Sequence, residues 1–367
     1  MGQHTDGTRP LLSHYDTVVV GAGPAGIMAA LGAARRGAVL LVDSVALPRD
    51  KSCGGMLHEL TQGLLARFGP LPASIVLEPK YLHFRYVDWD RGIRKATELR
   101  FVNVDRVGFD DWLVSLLPDS VEIIGLCPLV SFSSGPDGVA VTLRAPDGLV
   151  DVTCANLVGA DGARSAVRRA LGIGTASSYV TLQDYVHLEG KIEPYFDCIY
   201  MRGIGDEFGY AYVMPKGDLA IVGSVFYPKT KRPGDKQNRV LEILRESMPQ
   251  LGETVKREAS AALHLRTSAD TRPGVGRVLL AGEAGGFMSP TSGEGISYAI
   301  HSGLAAGEAI ATSAPGDVLA AYSASVEGLT RDIRRRLRWL PVMESPTGKY
   351  LAGFVPAKIV SKITLGL

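Results

Sequence analysis

A charge imbalance is the first thing this 367-residue chain lacks: 39 basic residues stand against 38 acidic ones, for a formal net charge of +1. Nothing global therefore points to nucleic acid or another acidic polymer as a partner. Cysteine is scarce as well. Cys53, Cys127, Cys154 and Cys198 are scattered, with no C-x-x-C pair and no histidine–cysteine cluster at metal spacing. That pattern argues against a disulfide framework, predicts no metal site and fits a reducing cytoplasm. No stretch reaches the roughly 18 uninterrupted apolar residues that a membrane-spanning helix needs. The opening MGQHTDGTRPLLSHYD has no apolar signal core, and its most N-terminal residues read as a mobile tail. What is present, 46 % hydrophobic and 21 % charged residues, is the profile of a globular protein. The length allows two domains, or one with an insertion.

The segment YDTVVVGAGPAGIMAALGAARRGAVLLVDS reads as strand, glycine turn, helix and second strand. Thr17 to Val20 form a continuous β-branched run, as expected of a parallel strand buried on both faces. The small-residue helix predicted from Pro24 to Arg36 can lie close to a sheet, with Gly37 as its stop. Gly21, Gly23 and Gly26 stand in G-x-G-x-x-G spacing and, with Ala25, form a turn that lets backbone approach a pyrophosphate. The helix start then offers free N–H groups to the phosphates. Asp43, ending the second strand, is placed for a ribose 2′-hydroxyl, which disfavours NADP here and leaves FAD or NAD.

Further along, helix-like and strand-like segments alternate, and from Tyr179 to His264 the strands lengthen, with a hairpin turning at KGD and one helix, KQNRVLEILRESM. GRVLLAGEAGGFMSPTSGEGIS then returns to the strand, glycine-rich loop and helix style. The layout predicts a discontinuous nucleotide-binding domain (13–76, 104–177 and 268–312). A substrate-binding β-sheet domain (77–103 and 178–267) is inserted in it, and a C-terminal helical region (313–367) follows.

Four motifs in order carry a resemblance over nearly the whole chain. GADGARSAVRR (159–169) resembles the Asp-Gly motif of flavoproteins of the para-hydroxybenzoate hydroxylase type, and GEAGGFMSPTSGEG resembles their second flavin motif. KSCGG (51–55) and GYAYVMPKG (209–217) resemble segments of the geranylgeranyl reductase family within that superfamily. The resemblance implies an α/β fold with a Rossmann-type, glutathione-reductase-2-like FAD-binding domain, and FAD as cofactor. It also implies cofactor roles for Cys53, Gly54, Gly55, Arg106, Asp161, Gly282, Glu283, Pro290, Gly293, Gly295 and Ile296. Glu283 stands where the family has aspartate. Amides at Gly293 to Ile296 could stabilise charge on a reduced flavin. A second dinucleotide fingerprint is absent, so a nicotinamide reductant would bind transiently.

Cys53 has two readings: a reactive thiol beside the flavin, as thiolate, proton donor or substrate contact, or a small apolar residue packed under the ring. Alternation puts Tyr210, Tyr212 and Met214 on one face of their strand, suited to an aromatic or greasy small molecule or to core packing. Cys53, Tyr210 and Tyr212 are the candidate catalytic groups. The basic, apolar tail could lie on an anionic membrane or cap the pocket. Oligomeric state is not legible. The expected function is hydride exchange between flavin N5 and an apolar unsaturated small molecule. The alternatives are a flavin monooxygenase and a non-catalytic lipid-binding escort.

Overall fold

The computed structural model describes residues 11–174, 177–205, 207–352, 354–356 and 359. The expected N-terminal tail up to residue 10 and the apolar end from residue 360 lie outside them.

Two eight-stranded sheets organise the chain. The first is built on parallel neighbours: His14–Val20 lies between Val39–Val42 and Gly148–Gly159, and Val121–Ile124 and Val278–Leu280 extend the ladder. Val18, Val19, Leu40 and Leu41 are fully buried, because helices or a second layer cover both faces of such a ladder. Helix Pro24–Ala33 packs on helix Ile296–Thr312. Gly32 and Gly307 meet backbone to backbone there, with no room for a Cβ on either. The first helix ends before the expected Arg36. Asp16 accepts from the Ala38 amide at 2.8 Å and pulls the chain back to the sheet, and Gly37 gives the carboxylate room.

The second sheet has long, mostly antiparallel strands, in the order Leu251–His264, Ser177–Leu188, Leu219–Phe226, Phe208–Lys216, Tyr195–Tyr200, Val76–Asp88, Ile93–Val104 and Met56–Leu57. The hairpin at the KGD turn keeps strict register from Tyr210 opposite Val225 to Lys216 opposite Leu219. One face buries Ala211, Val213 and Val222 against Val240, Leu241 and Leu244 of helix Pro233–Ser247. The other carries Tyr212, Met214, Leu82 and Ile221, with Tyr210 and Phe196 beside them. The whole is a mixed α/β fold with a Rossmann-type nucleotide domain. No helix among the described residues is long and apolar enough to cross a membrane.

Candidate functional site

The first glycine loop is shaped by contacts of its own. Gly21 has φ +105°, and a side chain there would run into the Ala160 carbonyl; one on Gly26 would strike the Gly21 carbonyl. Gly23 caps helix Pro24–Ala33 without a side-chain bond, and no acid occupies the first turn. Its leading amides are therefore left for an external anion. Asp43 is buried and accepts from the Ala22 amide at 2.7 Å and the Val45 amide at 3.1 Å, with Arg49 Nε at 3.3 Å. A carboxylate has about four acceptor positions, so one remains for a ribose hydroxyl. The Arg49 guanidinium lies over Gly23, where it would face a pyrophosphate. The sequence pattern carried no signal for Arg49. An uncapped helix start, a cation and an acid with a free acceptor position together fit a dinucleotide.

The Lys51–Gly55 loop is tied from several directions. Lys51 Nζ stands 3.5 Å from Glu283 Oε2. Ser52 Oγ donates to Gln183 Oε1 at 2.5 Å, and Gln183 Nε2 donates to the Tyr212 hydroxyl at 2.5 Å. Lys216 Nζ donates to Gly54 O at 2.7 Å, Val104 O at 2.6 Å and Asn103 Oδ1 at 2.8 Å. Burial pulls the Lys216 ammonium down to about 7, against Cys53 and Asp105, which favour its charge. Arg106 is buried at the start of helix Arg106–Ser115, clasps Asp110 through Nη2 at 2.6 and 2.8 Å and hydrogen-bonds the Cys53 thiol. Burial pushes the half-buried Cys53 thiol up. Arg106, the Gly55 amide and Lys51 outweigh it and hold the thiol below its ordinary value. The two glycines serve the chain itself. A Cβ on Gly54 would touch the Met214 methyl, and one on Gly55, at φ +60°, would hit the Val104 carbonyl.

Three expected ligands of the cofactor have their carboxylates or amides engaged elsewhere. Asp161 lies against Gly21, but it accepts from Ser165 Oγ at 2.5 Å and from the Ala166 and Val167 amides at 2.6 and 3.2 Å. Those bonds tie it to the start of the next helix, whose N-cap is Ser165. Glu283 accepts from the Leu263 amide at 3.3 Å besides facing Lys51, so the longer side chain turns its carboxylate toward the second sheet. The amide row at Gly293–Ile296 is also partly taken. Gly293 N donates to Ser289 O at 3.0 Å. Glu294 accepts from Ser297 N at 2.8 Å and Ser297 Oγ at 2.6 Å, and also draws on the Ile296 amide. Burial raises the Glu294 carboxyl, with those bonds and Arg336 opposing. Glu294, absent from the sequence-based site, is the internal cap of helix Ile296–Thr312. Gly295, its N-cap, has open space: a Cβ would find nothing nearer than Met288 Cβ at 3.8 Å. Pro290 is buried, and Gly282, at φ +58°, donates its amide to Ser302 Oγ at 2.9 Å against Ala25.

Tyr210 and Met214 bring the second sheet to these loops. The Tyr210 hydroxyl lies 3.9 Å from where a Gly293 Cβ would stand. Tyr212 lies across Gly223 of the neighbouring strand, which no local pattern announces. Burial keeps both phenols protonated by raising them further. Phe196 and Tyr212, 5.3 Å apart, continue the aromatic face. The C-terminal helices dock on the body. Glu344 accepts from the Tyr179 hydroxyl at 2.9 Å, lies 3.0 Å from His264 Nε2 and pairs with Arg266, while Tyr86 donates to Lys349 O at 2.9 Å.

A model of the FAD binding domain family matches residues 127–333. Protein CbrA of Escherichia coli K12 is 32 % identical over 303 residues, spanning 79 % of this chain and 82 % of that protein. The crystal structure of a geranylgeranyl bacteriochlorophyll reductase-like protein from Thermoplasma acidophilum superposes with TM-score 0.74 at 20 % identity, over 96 % of this chain and 91 % of that one. Aklavinone-11 hydroxylase, in its complex with FAD and aklavinone, gives TM-score 0.64 at 23 % identity over 82 % of this chain and 63 % of that one.

Proposed function

Because this chain belongs to the FAD binding domain family and is an FAD-dependent oxidoreductase, we propose that it exchanges a hydride with an apolar, unsaturated small molecule. The observation that carries the reading is one thiol beside the buried Arg106 guanidinium, on a glycine turn between the nucleotide loops and an aromatic sheet face. FAD supplies two-electron hydride chemistry when bound. The first helix start and Arg49 would hold its pyrophosphate, and Asp43 its ribose. Cys53 Sγ holds a proton it releases more readily than an ordinary cysteine, and Arg106 stabilises the thiolate left behind. Tyr210 and Tyr212 stay neutral, so they orient and exclude water rather than ionise. A nicotinamide reductant would dock transiently.

Anaerobic reduction of the FAD-loaded enzyme by NADH or NADPH, followed by mixing with apolar polyenes, tests this reading. Bleached flavin absorbance should return with the polyene and without O₂. If it returns only with O₂, in a substrate-dependent way and with oxygen-18 entering the product, the enzyme is a monooxygenase instead. Cys53→Ala should keep flavin binding and slow reoxidation by the polyene; unchanged kinetics would make the thiol a packing residue.

A further inference from the structure

We propose that the outward face of the C-terminal helical segment docks this protein on an anionic lipid bilayer. Helices Glu327–Leu337 and Leu340–Glu344 run into one another, because Arg338 and Trp339 between them keep right-handed helical backbone. Ile333, Arg336 and Leu340 are buried on the inner side. Arg331, Arg334, Arg335, Arg338, Trp339 and Val342 are exposed, and their spacing of three or four residues puts them on one face. Trp339 is 49 % and Val342 51 % exposed. Beyond them Leu351 is 49 % exposed as well, so large apolar side chains on this segment stay in water.

Arginines dominate the charge of this face, and the acids beside them are already paired. Glu327 is matched by Arg331 at 3.2 Å, and Asp332 by Arg335 at 2.5 Å and Arg336 at 2.6 Å. Arg334 and Arg338 have no acidic partner among the described residues. Clustered arginines are drawn to the negative surface of anionic lipids, and tryptophan settles at the headgroup level. A polyanion such as nucleic acid would use the arginines and leave Trp339 and Val342 unused, so the bilayer is the occupant this face fits. The docking does not depend on which substrate the flavin site takes.

Co-sedimentation of the FAD-loaded protein with vesicles tests this, using phosphatidylcholine alone and phosphatidylcholine with about one-third phosphatidylglycerol. Binding should need the anionic lipid and weaken with added salt. Arg334→Gln with Arg338→Gln should weaken it about thirtyfold. Trp339→Ala should weaken it while leaving the salt dependence in place. Flavin absorbance and the thermal midpoint of the variants should match the parent, since all three residues are exposed. Equal binding to neutral vesicles, no binding to either, or no effect of the arginine changes would overturn the proposal. So would duplex DNA displacing the protein from vesicles at equal salt.

Discussion

The loop Lys51–Gly55 and the loop Pro290–Gly295 both carry glycines and both approach the aromatic face of the second sheet, yet they are held in opposite ways. The first is held from outside: Lys216, Gln183, Glu283 and Met214 reach it from distant segments. The second is held largely from within, through Ser289, Ser292, Glu294 and Ser297, neighbours in sequence. A loop fastened by its own side chains keeps its shape wherever it is placed. A loop fastened by the rest of the molecule has a shape only when the two sheets are docked. The activated cysteine sits on the loop held from outside, so its chemistry depends on the docking of the two sheets.

That contrast can be broken from its strongest tie down. Arg106→Gln removes the charge beside Cys53 and leaves Asp110 buried without its partner, which should cost about 3–5 kcal/mol in urea unfolding. Gly55→Ala should cost about 2 kcal/mol or more, because φ +60° and the Val104 carbonyl both oppose a Cβ. Gly54→Ala, which meets only a flexible methionine end, should cost far less. Lys216→Met removes the donor shared by four carbonyl or amide oxygens and should cost about 1–3 kcal/mol with weakened FAD retention. Glu294→Ala, in the locally fastened loop, should cost about 1 kcal/mol, the worth of a helix cap. If Lys216→Met proved milder than Glu294→Ala, the contrast would be wrong.

The thiol gives a pH test of the same idea. Cys127, Cys154 and Cys198 are raised by burial, to about 11, about 12 and about 12, while Cys53 alone is lowered. A thiol reacts as its thiolate, so limiting iodoacetamide at neutral pH should label Cys53 first, as peptide mapping can show. The labelling rate should rise through a midpoint below that of a free cysteine. Arg106→Lys keeps a charge but not the planar fork, and should move that midpoint upward by less than Arg106→Gln does.

Much of the nucleotide half was legible because its signals are local. G-x-G-x-x-G followed by a helix, and an acid ending the next strand, are spaced by strand and helix geometry, and Gly21, Gly26 and Asp43 do come together. The alternation of Tyr210, Tyr212 and Met214 was legible for the same reason, since a strand turns its side chains to opposite faces. The partners Asp161 and Glu283 hold within the chain were not legible, because a motif position does not say which way a carboxylate turns. That was decided by Ser165 and the Leu263 amide.

By itself, then, the order of residues determined the elements, the phosphate turn and which strand face is aromatic, all of which follow from backbone period and φ limits. Only the tertiary structure decided that Arg106 stands beside Cys53, that Lys216 clamps the cysteine turn, that Gly223 makes room for Tyr212 and that Glu344 fastens the C-terminal cover. Those pairings join segments far apart along the chain. Electrostatic pull and steric fit act through space, and no local pattern records them.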